Sequence, residues 1–335
     1  MRIEVKFSRL GCLWNFVETL TLYHFSYNEK VVQDWLSWTG GELSPLEKET
    51  LTELSSVASR LNQGQKGVKG SSWRLDQAFL TKEDAWREVS SIANSEEVEV
   101  IKNAIKVLEP RFNKIWPDEE ERLRARQQVL EGGFNGAQAA RIIKVLRTFF
   151  QPDNEPEKVE IFLLLNTEPN STQGGANLGA GQITLHCSHS EPVTYERFAG
   201  IIWHEITHLF LQEHYFKLEN AYSSGIQKPA FWDPRTPTGD SIIREAVVAS
   251  LAHDGYIDEK FLGLDLEKHW AGDFGAEWRN PPTTFNSWQN YASYHLQAQV
   301  ERYVNEKRPI DEDFIKEFLK IWSEYQQAAF TQLKN

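Results

Sequence analysis

Three residues set the chemical question: His204, Glu205 and His208, in the run Trp203-His204-Glu205-Ile206-Thr207-His208. Each helical residue advances about 100°, so positions four apart differ by about 40° and project from one face a turn apart. Both imidazoles can therefore grip one metal ion. Glu205 stands one residue further round, close enough to reach a metal-held water without displacing it. Zinc on two neutral imidazoles and a third ligand keeps one position open, and water there falls to a pKa of about 7. The spacing predicts metal-assisted hydrolysis of an amide, with Glu205 as general base. The apolar-periodic run from Tyr195 to about Phe216 includes Phe198, Ile201, Ile202, Ile206, Leu209 and Phe210, and predicts a buried helix. Two histidines and a glutamate inside it cost free energy unless something pairs with them, and a metal would.

Two residues compete as third ligand. His214 follows His208 at the spacing of H-E-x-x-H-x-x-G-x-x-H, the metzincin pattern. Leu211 stands where that pattern has glycine, and the only methionine is Met1, so the downstream methionine turn is missing too. On an unbroken helix six residues turn the chain by about 240° net, which points His214 away. Glu245 lies in Asp240-Ser241-Ile242-Ile243-Arg244-Glu245-Ala246-Val247, a helix capped by Asp240 or Ser241 with apolar residues on both sides of the carboxylate. A carboxylate there is costly unpaired, and two histidines with a glutamate are one of the catalytic zinc sets. An ion pair with Arg244 or Arg197 would also satisfy it.

The elements that must position these groups follow in the chain's order. Arg2 to Phe7 alternates as a half-buried strand does. Ser44-Pro45-Leu46-Glu47 reads as a capping box with proline in the first turn, opening a helix to about Leu61. Asn62 to Ser72 is a glycine-rich, basic loop whose glycine spacing matches no phosphate-binding motif. Further helices are expected from a Thr81 cap to Asn94, from Ser95 to Leu108, from Pro117 to about Leu130 and from Ala137 to Phe150, with Gly132-Gly133 and Asn135-Gly136 as breaks. Gln151 to Glu157, with two prolines, reads as a linker. Lys158 to Leu165 has the continuous apolar character of a strand inside a sheet, and Gln182 to Cys187 alternates as a second. Between them Gly174-Gly175 and Gly179 to Gly181 flank an expected flexible turn. Later helices are expected at Ser287 to Val304 and Asp311 to Leu333.

Strand, glycine-bearing segment, strand and then the His204-Glu205-x-x-His208 helix resemble the upper half of a zincin metallopeptidase over about residues 158 to 255. The resemblance implies that extended substrate pairs with an edge strand, here Ile183 to Cys187 or its glycine-rich approach. In ligand type the chain resembles gluzincins, thermolysin-like, whose third ligand is a glutamate from a later helix. Gluzincins often place an aspartate four residues after that glutamate, where this chain has Ala249, so Asp240 or Asp254 would have to orient a ligand histidine. The expected class is α+β, mostly α: residues 1–150 a mainly helical N-terminal region with a short strand at 2–7, and 151–335 a zincin-like catalytic domain.

Composition bounds the rest. The 335 residues can build a sizeable core, and 40% hydrophobic with 25% charged residues is ordinary for a soluble globular protein. A net charge of −12 argues against a nucleic-acid partner. Cys12 and Cys187 are too few for a disulfide framework, which suits a reducing compartment. Asn15, Glu18 and His24 interrupt the apolar stretch at 10 to 25, so it reads neither as signal peptide nor as membrane span. A cytoplasmic protein without a membrane partner is expected.

A hydrolase of this kind needs a donor for the oxyanion. His253 and Tyr256 follow Glu245 within two or three turns and are the catalytic candidates, with Tyr291, Tyr294 and His295 as others. His186 and His189 are at most cleft lining. Phe231, Trp232 and Pro234, and the segment Trp270 to Trp288, are expected to shape substrate access. The leading expectation is a zinc peptidase acting on peptide or protein. The alternatives are an inactive zinc-binding or regulatory protein and a zinc hydrolase of a non-peptide amide or ester.

Overall fold

The alternation at the N-terminus forms β1 (Arg2–Lys6), with Ile3 and Val5 buried and Arg2 exposed. In the computed structural model the described residues are 1–21, 23, 29–63, 72–81, 84–166, 173–177, 181–189, 193–222, 239–253, 255–266 and 285–332. β1 pairs in parallel with β2 (Lys158–Asn166), from Arg2↔Lys158 to Lys6↔Phe162. β2 pairs in parallel with β4 (Gln182–Ser188), and β3 (Gln173–Asn177) lies antiparallel on the far side of β4. The order is β1-β2-β4-β3, so the apolar run of β2 has a strand on each side, as continuous hydrophobicity predicts. The glycine-bearing segment, expected as a turn, contains the edge strand β3. Gln173 pairs with His186 and Asn177 with Gln182, because β4's outer backbone groups need partners whatever side chains supply them.

Helices make up most of the chain: α1 (Arg9–Thr19), α2 (Glu29–Trp38), α3 (Pro45–Leu61), α4 (Ser72–Thr81), α5 (Ala85–Ile92), α6 (Ser95–Phe112), α7 (Trp116–Phe134) and α8 (Ala137–Phe150) precede β2. The capping box at α3 is present in full: the Ser44 side chain accepts from the Glu47 backbone and Glu47 accepts from the Ser44 backbone. Asn94 and Glu97 form a second box at α6. The expected Thr81 cap is corrected to Asp84, whose carboxylate accepts from the Arg87 backbone, while Thr81 ends α4. Nor do Gly132-Gly133 break α7, which runs on to Phe134. A Cβ at Gly133 would lie 2.1 Å from the Tyr195 ring, so the missing side chain admits the first residue of the metal-motif helix. That contact outweighs a helix-propensity cost of about 1 kcal/mol per glycine.

After the sheet come α9 (Tyr195–Tyr222), α10 (Gly239–Leu251), a π-helical turn (Asp258–Leu262), α11 (Phe285–Glu306) and α12 (Glu312–Gln332). β1, from residues 1–150, is hydrogen-bonded to β2 beyond the proline-bearing linker. Ile3, Trp35, Phe112, Ile161, Ile206 and Val247 belong to one buried cluster spanning both regions. Among the described residues no helix is long and apolar enough to cross a membrane. Most of the expected loop at Asn62 to Ser72, the cluster Phe231, Trp232 and Pro234, and most of Trp270 to Trp288 lie outside the described residues.

An ion pair ties the start of α3 to α6. Arg111 Nε and Nη2 bond both oxygens of Glu47 at 2.5 and 2.9 Å, and Arg111 also holds the Gly41 carbonyl. These bonds hold the Glu47 carboxyl down at about 2, against burial, below its ordinary 4.5. A depressed carboxyl stabilises the fold above its unfolded pKa and loses that contribution as pH falls from about 4.5 to about 2. Glu47→Gln is therefore expected to lower the unfolding free energy at pH 7 by about 2–3 kcal/mol and to bring the two proteins together near pH 2. Urea titrations at both pH values check this; a pH-independent gap would show that the carboxylate charge is not its source.

Candidate metal centre

The chemistry-bearing helix is fixed by its apolar side. Phe198, Ile202, Trp203, Ile206, Leu209 and Phe210 of α9 are buried. The Trp203 indole donates to Tyr195 Oη at 3.2 Å and meets the Phe134 ring edge-on at 5.4 Å. Thr207 Oγ1 donates to the Trp203 carbonyl at 2.7 Å. Gly200, one turn before His204, lets Asp258 of the π-helical turn close on α9: a Cβ there would lie 2.7 Å from Asp258 Oδ1. With these contacts the helix cannot rotate, and His204 and His208 are held toward Glu245 of α10.

α10 packs against both α9 and α11. Ala246, Val247 and Val248 are fully buried, and Ser293 of α11 donates from Oγ to the Ala249 carbonyl at 3.0 Å. This packing delivers Glu245 to the two histidines. Its Oε2 lies 3.3 Å from His204 Nε2 and 3.3 Å from His208 Nε2, and the two nitrogens are 3.1 Å apart. Tetrahedral zinc with bonds of about 2.0–2.2 Å separates its ligand atoms by about 3.3–3.6 Å. The three donor atoms are thus spaced nearly as one zinc ion requires, and their types, two imidazole nitrogens and a carboxylate oxygen, suit it. Among the described residues this is the one group of three histidine, cysteine or acidic side chains close enough to share an ion.

The electrostatics agree with a site for a cation. Burial alone would raise the Glu245 carboxyl, but His208 and His204 hold it well below the usual carboxylate range. Burial would likewise lower the His204 ring; hydrogen bonding and charge from Glu245, with Glu205 behind, raise it. The Ala252 carbonyl favours the same charged ring without reaching hydrogen-bond geometry at Nδ1. His208 Nδ1 is buried with no hydrogen-bond partner among the described residues. Arg244, the expected competitor for Glu245, lies at 3.5 Å from its other oxygen, Oε1, so the histidines and the arginine share the carboxylate rather than exclude one another.

The other candidates separate. The His253 ring centroid is 5.8 Å from that of His204, and its residue is exposed and in the left-handed region at φ 59°. Tyr256 is buried against Phe261, and the charges acting on it are Glu301, Lys260 and Glu259, outside the metal cluster. Tyr294 and His295 line an open groove of about 610 Å³ with Glu259, Lys260, Asp265 and Glu301. The Tyr291 ring meets both His295 and Tyr325. His189 sits with Glu119 at 2.8 Å, beside Arg122 and against the Trp38 ring, in a cluster of α2 and α7. His186 is buried on β4.

α9 continues unbroken past Leu211 to Tyr222, which leaves position 214 turned about 240° from His208 on the same helix. The side chains of His214, Arg197 and Asp240, and all of Asp254, lie outside the described residues. Sequence reasoning missed two things here: the Gly200–Asp258 approach, whose only trace is a glycine four residues before His204, and the strand β3. Compared with known proteins, the chain matches no family model, and neither a curated protein nor a solved structure is significantly similar to it.

Proposed function

We propose that the chain is a zinc-dependent peptidase, a zincin with the gluzincin ligand set His204, His208 and Glu245, acting on peptide or protein in the cytoplasm. The observation that carries this reading is the spacing of 3.1, 3.3 and 3.3 Å among three donor atoms from two helices. Cys12 and Cys187, both buried and in no disulfide, suit a reducing compartment. When bound, zinc would supply Lewis acidity, making water a usable nucleophile near neutral pH and polarising the attacked carbonyl.

The residues do the rest. Glu205, half-buried and next to His204 on α9, takes one proton from the attacking water on a carboxylate oxygen. The water oxygen bonds to the carbonyl carbon, the carbon–nitrogen bond breaks, and the leaving nitrogen receives the proton from Glu205. His253, exposed and with its ring 5.8 Å from that of His204, donates to the oxyanion in this reading. The fold also bears on substrate alignment. β4 has a strand on both sides, so among the described strands the backbone that can receive extended peptide on this side of the sheet is the outer edge of β3, which packs against α9. Peptide paired with β3 would lie along the motif helix.

The first test is the metal itself. Purified protein, offered zinc and freed of excess, is expected to carry about one zinc per chain, because a closed donor triad of this kind is costly without a cation. Metal analysis that finds none removes the catalytic reading.

A further inference from the structure

Arg244 stands beside the candidate metal triad with most of its hydrogen-bonding capacity unused among the described residues. Its guanidinium carries five N–H donors in a planar fork that matches a carboxylate with two parallel bonds. Three other arginines among the described residues fill that fork. Arg111 bonds both oxygens of Glu47 and backbone carbonyls as well; Arg147 bonds both oxygens of Glu155; Arg308 bonds Asp311 and Asp313. Among the described residues Arg244 reaches only Glu245 Oε1, at 3.5 Å, too long for a tight charged bond. Its Nε is buried and has no hydrogen-bond partner among the described residues, yet 33% of the side chain is exposed. Arg126 is also under-bonded, but its Nε and Nη1 are shut off from solvent beside the Phe198 ring, where nothing can reach them. Arg244 combines unfilled donors with access at the edge of the candidate metal triad.

Charge points the same way. Glu245 faces the histidines with one oxygen and Arg244 with the other. With a divalent cation on neutral imidazoles, the carboxylates of Glu205 and Glu245 balance the cation and, among the described residues, leave the guanidinium uncompensated. A cation in a partly buried site without a counter-charge is unfavourable, and an arriving anion would relieve it. Because the fork lies one carboxylate's width from the metal ligands, that anion would sit next to the reacting carbonyl.

We propose that Arg244 anchors a carboxylate of the substrate beside the bond to be hydrolysed, so that the site selects peptides or acylated amino acids carrying a free carboxylate next to the scissile amide. The inference rests on the hydrolase reading for its meaning, but the binding it predicts is measurable without turnover. Hippurate, an acylglycine with a free carboxylate, and hippuramide, its neutral amide, are titrated calorimetrically into the zinc-loaded protein. Hippurate is expected to bind about 10- to 100-fold more tightly than hippuramide. Arg244→Gln, with zinc content and circular dichroism confirmed, should bring the two within about threefold, and Arg244→Lys, which keeps charge but not the fork, should fall between.

An equal preference for hippurate in parent, Arg244→Gln and Arg244→Lys would mean that the metal alone holds the carboxylate, and would overturn the assignment. So would no preference in the parent. Hydrolysis then separates the two sources of the anion. A peptide with a free C-terminus one residue beyond the cleaved bond is compared with a C-terminally amidated peptide whose acidic side chain occupies that residue; preference for either over a neutral amidated control supports the anchor. Equal hydrolysis of all three sinks the anchor and leaves the peptidase standing. Failure to cleave any of them counts against the peptidase reading while the calorimetric result still decides Arg244.

Discussion

Glu205→Gln should keep its zinc and lose nearly all hydrolysis, with a fall of roughly 10²- to 10⁴-fold in kcat. The two halves of that expectation have separate causes. Zinc stays because the three donor atoms that converge belong to His204, His208 and Glu245, and Glu205 is not among them. Glutamine has the shape of glutamate, so the packing of α9 around Trp203, Ile206 and Thr207 is undisturbed. Hydrolysis falls because an amide cannot take the proton that the attacking water must give up. The residue follows His204 on the same helix, close enough for its charge to favour the protonated imidazole. Two measurements on one preparation, zinc content and turnover of a verified substrate, separate the outcomes. Retained zinc with an unchanged rate would show that another group is the base.

Chemistry confined to one helical turn could be read from the letters, and chemistry shared between helices could be read only as a debt. His204, Glu205 and His208 are legible because helix geometry alone sets their relation. Glu245 appears in the sequence as a carboxylate that an apolar helix should not carry, but whether histidine or arginine answers it depends on how α10 lies across α9. The structure places both there, with the imidazoles on one oxygen and Arg244 on the other. Strand β3 was hidden for a different reason. Gln173-Gly174-Gly175-Ala176-Asn177 has the composition of a turn, and its extended form comes from the unpaired edge of β4, which no local propensity reports. Gly133 misled in the same way: its role is steric, set by Tyr195 far along the chain. Glu18 and Asp76, on α1 and α4, are acids that the fold buries. Burial and the neighbouring Glu18 carboxyl push Asp76 well above the usual range, while the Trp14 indole donates to it at 2.7 Å.

The ligand set itself can be decided by two substitutions that pull in opposite directions. Glu245→Ala removes the oxygen that stands 3.3 Å from both imidazole nitrogens. Loss of a group that merely orients a ligand costs roughly 10- to 100-fold in metal affinity, so loss of a ligand, and of its charge, should cost about 10²-fold or more. Arg244 would then face the cation with no carboxylate between them, which adds to the loss. His214→Ala should leave affinity within about threefold of the parent, because α9 runs straight through that position and a ligand there would need the helix to unwind near Leu211. Leucine gives no help with such a turn, whereas glycine at the same position would. Competition against a chromophoric chelator measures both variants, and circular dichroism confirms that each keeps its helices. Parent-like affinity in Glu245→Ala with a large loss in His214→Ala would reverse the assignment, and α9 would then have to break on metal binding to bring the third imidazole round.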